Sequence, residues 1–452
     1  MTTKKQTIGI IGLWHLGCSL AASWSQLGKT VIGFDYNPER INNLQKGIPP
    51  IFEPHLKRTI QKSIDKHSLT FSPDITSLAK CDFVFVAHDT PVNDDDTCDT
   101  TILEKSIRDI RSILKNDTIV VVSSQSPVSY CSTLRRILQE KNSTLELAYS
   151  PENLQLGKSI ECYLNPGRII LGTSNKKTEQ KCINLFQDIT DNILPMAIES
   201  AEMVKHGINS FLSTSIVFSN HLADICEQTN ANINDVVHGI KSDLRIGPKA
   251  YLSPGIGFSG GTLGRDLKVL SSTNAKHRGF ASLFDTIYTY NSKRKHGIID
   301  KVIKILGNIE NKTIGILGLT YKPGTSTIRR SIPLEIAEIL HDKKAIVKAY
   351  DPKADLSELS YKPKFTISKN IKDVSQNANL LLLLTEWPDF KEYDWTKIVN
   401  TMSDNIFFDA KNSLSQSNME KMGFNYFSVG KNNGNIEFTN NNNNRRELGY
   451  RI

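Results

Sequence analysis

The chain has 452 residues, 39% of them apolar, which is enough to bury large cores and more than one ordinary domain requires. Its formal charge of +8 is modest and spread along the sequence, so it argues against a dedicated nucleic-acid surface while suiting an anionic ligand. No apolar run approaches a membrane span, and the start, MTTKKQTIGIIG, passes straight into a strand pattern with no signal peptide, so a cytoplasmic protein is expected.

In chain order, the first strand is expected in TIGIIGL (7–13). It leads into Gly12-Leu13-Trp14-His15-Leu16-Gly17 and a helix-length segment, CSLAASWSQLG. This is where a GxGxxG dinucleotide turn belongs: Gly12 makes the tight turn, Gly17 lets helix and strand pack, and the helix N-terminus, reached through Leu16, faces the pyrophosphate. Asp35 follows Gly12 by 23 residues, at the end of the next strand, where an acid accepts hydrogen bonds from the adenosine ribose and favours NAD over NADP. Trp14 stands where the middle glycine belongs, so cofactor binding is expected to be shifted or weakened. CDFVFVA (81–87) reads as a further buried strand.

From about 198 to 305 the strand signals fade. In AEMVKHGINSFLSTSIVFSNHLADICEQ apolar residues recur every three or four positions, which predicts one long buried helix and a natural dimerisation element. Then the opening pattern returns. TIGILGL (313–319) echoes TIGIIGL, VKAYDPKA (347–354) echoes VIGFDYNP (31–38), and ANLLLLLT (378–385) echoes CDFVFVA. The expected fold is therefore α/β, with two doubly wound Rossmann-like units joined by a long central helix. We divide the chain at 1–197, 198–305 and 306–430, with an Asn-rich tail, 431–452, expected to be disordered. The seven cysteines (18, 81, 98, 131, 162, 182 and 226) show no metal spacing, as expected of reduced thiols, and no metal site is expected.

Several segments, in order, resemble the UDP-glucose/GDP-mannose dehydrogenase family: GIPPIFEPHL (47–56), DTP (89–91), SPENLQLGKSIECYLNPGRIILG (150–172), the long helix, SDLRIGPKAYLSPGIGFSGGTLGRDL (242–267), LGLTYKPGTSTIRRS (317–331) and TEWPDF (385–390). The resemblance implies an N-terminal NAD domain, a dimerising helix and a C-terminal domain that helps bind the nucleotide sugar. Family enzymes take the sugar's C6 alcohol to the acid in two hydride transfers, each to NAD, and the product would serve surface polysaccharide synthesis. The family's lysine and asparagine match Lys205 and Asn209, one helical turn apart on one face. Glu152 and Asp266 match the acids that position and activate a water. Thr90, in DTP, and Arg329 are assigned to the cofactor, and Arg168, Tyr251, Gly257 and Lys322 to the nucleotide sugar, whose diphosphate calls for cations.

The family's loop reads approximately GFGGSCFPKD, and here it is Gly257 to Asp266, GFSGGTLGRD. Thr262 replaces the nucleophilic cysteine and Arg265 the lysine. A thiol near pKa ~8.5 ionises readily in a suitable site, whereas an alcohol needs a dedicated base. SQSPVSYC (124–131) likewise departs from the family's STVPVGT-like strand end. Four readings stay open at this level: a nucleotide-sugar dehydrogenase that stops at the 6-aldehyde, one that reaches the acid through the aldehyde hydrate with Asp266 and Glu152 managing the water, a redox-neutral epimerase, and a catalytically silent binding homologue.

Overall fold

The computed structural model describes residues 6–90, 99–151, 154, 157–275 and 282–432. Each of the apolar runs becomes a short strand, because continuous branched and aromatic side chains suit a strand covered on both faces. The first sheet contains β1 (Thr7–Ile11), β2 (Thr30–Phe34), β3 (Leu69–Ser72), β4 (Phe83–Val86), β5 (Ile119–Val122), β6 (Glu146–Tyr149), β7 (Ile169–Gly172) and β8 (Ile193–Met196), in the order β3-β2-β1-β4-β5-β6-β7-β8. All neighbours are parallel except β6 and β7. The second sheet contains β9 (Thr313–Leu317), β10 (Ile346–Tyr350), β11 (Thr366–Ile367), β12 (Leu380–Leu383), β13 (Ile406–Asp409) and β14 (Asn425–Ser428), all parallel, in the order β11-β10-β9-β12-β13-β14. The sequence echo is thus a structural one. β1 and β9 each lie at the point where the strand order reverses, which is where α/β sheets bind ligands.

Between the sheets the described chain is helical. The long helix spans Ile198–Thr229, and helices Gly261–Ala275 and Leu283–Leu306 pack against it. Its inner face carries Ala201, Ile216, Ala223 and Cys226, but also buried Lys205, His206, Asn209 and Asn220. A buried face this polar must find partners, and those partners build the site.

The chain after β9 reaches back over the rest of the molecule. The Gly260 amide donates to the Arg330 carbonyl at 3.0 Å, the Ile332 amide to the Ser259 hydroxyl at 3.2 Å, and a Cβ at Gly157 would meet the Gly324 carbonyl oxygen at 2.7 Å. Of the expected tail, Lys431 is ordered: it bridges Asn232. Residues 433–452 lie outside the described residues.

Candidate active site

The turn after β1 is as tight as its glycines require. Gly12 has φ +87, and a Cβ there would lie 2.6 Å from His88 Nδ1; a Cβ on Gly17 would lie 1.7 Å from the Gly12 carbonyl oxygen. Side chains cannot be accommodated at either position. Asp35 closes the turn from β2. Its Oδ2 accepts from the Leu13 amide (2.6 Å) and Arg40 (2.8 Å), and its Oδ1 from the Asn37 amide (2.8 Å). One acceptor position of Oδ1 remains, as a ribose hydroxyl would need. Trp14 is the residue before the helix His15–Gln26, and two guanidinium groups lie over its indole, Arg40 at 5.2 Å and Arg329 at 5.4 Å from the ring centroid.

Gly12, Trp14 and Arg40 open onto a cavity of about 690 Å³, which Thr262, Arg265 and Arg329 also bound. Leu16 and Thr90 also reach it, so residues far apart in the chain share one space. Its volume is in the ordinary range for a small-molecule site. His88 forms part of the floor, stacked on Tyr36 and bonded through Nε2 to Ser106 at 2.8 Å, and burial pulls its pKa down to about 4.

The inner wall is a closed polar cluster. Asp266 has no exposed surface; its Oδ2 accepts from the Asn209 amide at 2.5 Å and its Oδ1 from the Gln125 amide. Arg265 donates to the Gln125 side-chain carbonyl, and to the Thr90 hydroxyl at 3.1 Å, while Thr90 donates to the Gln125 backbone carbonyl at 3.1 Å. His206 lies 3.3 Å from Asp266 through Nδ1, without hydrogen-bond alignment, and its Nε2 meets the Ser126 carbonyl at 2.9 Å. Burial alone would push the Asp266 carboxyl up; His206, Arg265 and Asn209 together hold it below the usual carboxylate range. Lys205 lies one turn before Asn209 and is 7% exposed.

The expectation that Asp266 presents an oxygen to water is therefore corrected. With both oxygens engaged and no solvent contact, it anchors the wall instead. Thr262 is exposed in the first turn of helix Gly261–Ala275, on the cavity. Among the described residues no carboxylate, imidazole or amine bonds its hydroxyl. Six of the seven cysteines are described and none of these lines the cavity; burial pushes up the thiols of Cys18, Cys81, Cys131, Cys182 and Cys226, so among the described residues no thiolate stands in for the missing one, and Cys98 lies outside them.

A second cluster joins the first sheet to the loop after β9. Buried Glu53 accepts from His15 Nε2 at 2.9 Å and from the amides of Gly157 (3.0 Å) and Ser159 (2.9 Å). Burial pushes its carboxyl up, and these bonds more than offset it. Burial lowers the Lys322 ammonium against the opposing pull of Glu53. Gly257 adopts φ +99 against Asn291. Arg168 is half-buried and Tyr251 is 52% exposed, and neither bounds the 690 Å³ cavity. Glu152 lies outside the described residues.

Comparison with known proteins agrees along most of the chain. The UDP-glucose/GDP-mannose dehydrogenase family matches through its NAD binding domain at residues 6–190, its central domain at 199–293 and its UDP binding domain at 315–416. The UDP-glucose 6-dehydrogenase of Rickettsia bellii is 31% identical over 431 residues, covering 94% of this chain and 99% of the relative. The chain belongs to the UDP-glucose/GDP-mannose dehydrogenase family. UDP-glucose 6-dehydrogenase TuaD of Bacillus subtilis is 30% identical, covering 94% of this chain and 93% of the relative. Among solved structures, a UDP-glucose dehydrogenase from Pyrobaculum islandicum superposes with a TM-score of 0.85 at 22% identity, covering 95% of this chain and 99% of that one. A UDP-D-ManNAc dehydrogenase from Pyrococcus horikoshii gives 0.83 at 22% identity, covering 95% and 100%. At that identity the likeness speaks for the fold.

This family member is an NAD-dependent, UDP-glucose 6-dehydrogenase-like enzyme. The glycine turn, the acceptor left on Asp35 and the cations around the cavity fit a dinucleotide. Gln125, His206, Arg40 and Glu53 escaped assignment from sequence. The signal for Gln125 was there: it falls in the SQSPVS departure, and Arg265, which it bonds, is itself a departure from the family's lysine.

Proposed function

We propose that this enzyme oxidises the C6 hydroxyl of a UDP-hexose, with UDP-glucose the first candidate, and stops at the 6-aldehyde. The observation that carries the stop is Thr262, an exposed hydroxyl with no base against it among the described residues, beside an Asp266 sealed by Gln125 and Asn209. Bound NAD supplies the hydride acceptor. The C6 alcohol loses one hydride to NAD and its hydroxyl proton to water, two electrons in all, and we assign Lys205 and Asn209 to assisting this transfer and stabilising the developing oxyanion. Gly12, Trp14, Leu16, Gly17, Asp35, Thr90 and Arg329 are assigned to the cofactor, and Arg168, Tyr251, Gly257 and Lys322 to the nucleotide sugar. The two named UDP-glucose 6-dehydrogenases support the choice of sugar.

A homodimer through the long helix completes the reading. Met203, Phe211, Phe218 and Ile225 are exposed and about two turns apart, with Phe211 68% exposed, so they form one apolar stripe that a monomer would leave in water. The free thiols support a cytoplasmic setting.

The test is to supply UDP-glucose and NAD and count NADH per sugar consumed. One per sugar, with a trappable aldehyde, is expected; two would remove the aldehyde stop, and none with any UDP-hexose would remove the dehydrogenase reading. Thr262→Cys should raise the count above one. Sedimentation of the same protein should give a dimer, and Phe211→Glu a monomer; a wild-type monomer would refute the helix interface.

A further inference from the structure

The indole of Trp14 meets two cations from distant parts of the chain. Arg40 follows β2 and also bonds Asp35 at 2.8 Å, while Arg329 is exposed on the loop after β9. Both guanidinium carbons lie over the ring, at 5.2 and 5.4 Å from its centroid, within the range where an indole attracts a cation. The same ring forms part of the cavity wall and precedes the N-terminus of helix His15–Gln26. A dinucleotide's diphosphate seeks this helix end and these guanidinium groups, so the indole and the diphosphate compete for the same partners.

We propose that Trp14 is an aromatic latch, tying the C-terminal loop to the glycine turn through Arg329 and setting the affinity for NAD by holding Arg40 and Arg329 away from the diphosphate. Leaving an indole face costs roughly two- to fivefold in affinity per exposed cation. Two such contacts together amount to roughly tenfold. The indole also fills space that a glycine at this position would leave open.

The dissociation constant for NAD, measured by calorimetry without any sugar, tests this independently of substrate identity and of where the oxidation stops. Trp14→Leu keeps apolar bulk and removes the aromatic face; it should bind NAD about tenfold more tightly than the wild type. Trp14→Gly should gain at least as much, and if the glycine variant fails to fold, the leucine variant still decides. Affinities within twofold of the wild type, weaker binding by the leucine variant, or no binding by either protein would overturn the proposal. Trp14 is also the least buried of the four tryptophans, the others being Trp24, Trp387 and Trp395. Saturating NAD should therefore change the wild-type tryptophan emission, and an unchanged emission would equally overturn it.

Discussion

The turns after β1 and β9 begin from nearly the same heptapeptide, TIGIIGL and TIGILGL, and each is closed by an aspartate at the end of the neighbouring strand. Their chemistry differs in how far the protein itself satisfies that aspartate. Asp35 takes three hydrogen bonds. Asp351 takes six: Oδ2 accepts from the Leu319 and Thr320 amides, the Thr320 hydroxyl and the Trp387 indole, and Oδ1 from the Lys353 and Ala354 amides. The first turn passes straight into a helix whose N-terminus faces the cavity. The second sends residues 318–331 out as a loop before its helix starts at Ile332, and that loop delivers Arg329 and Lys322 to the first half. A repeated strand-turn sequence therefore specifies a fold corner, while the two corners differ in how much acceptor capacity the protein leaves unused.

The contrast can be broken most directly at Asp351. Asp351→Ala leaves several amides and the Trp387 indole without their charged acceptor and should cost about 3 kcal/mol in denaturant unfolding, with the NAD dissociation constant unchanged. A stable variant with altered NAD binding would reverse the assignment of the two corners.

Next in size is a pH effect beneath the first turn. His88 has a folded-state pKa of about 4 against an ordinary value of 6.5, because burial disfavours its charged form. As pH falls, the unfolded chain takes up the proton first, so stability is retained above about pH 6.5 and lost progressively towards pH 4. Between pH 7 and pH 5 this amounts to on the order of 2 kcal/mol. His88→Asn should flatten that part of the stability profile, and an identical slope in the variant would mean that other groups carry it.

The smallest expected effect is at Asp35. Asp35→Ala should weaken NAD roughly tenfold, about 1.4 kcal/mol, while destabilising the chain less than Asp351→Ala. Equal losses of stability at the two sites would erase the difference between the corners.

Much of the fold was legible because buried parallel strands need continuous apolar runs and a buried helix needs its three-to-four-residue period. The echoing strands and the long helix follow from those patterns. Lys205 and Asn209 were legible through the family resemblance, and the helix places both on its buried face. Gln125 was not. The SQSPVS departure marked its segment, but its side chain is meaningful only against Asp266, 141 residues later. Asp266 was recognised, but its expected role depended on whether water reaches it, which composition and spacing do not encode.

By itself, the sequence determined the two doubly wound sheets, the helix between them, the glycine turn and the replacement of a thiol by Thr262, because each is a matter of residue type at a local period or motif position. Only the tertiary structure decided that Asp266 is sealed, that Asp351 is saturated while Asp35 is not, and that Arg329 lies on Trp14. The seal on Asp266 joins groups up to 141 residues apart, the bonds to Asp351 join groups up to 36 apart, and Arg329 meets Trp14 only because the loop after β9 lies back over the first sheet.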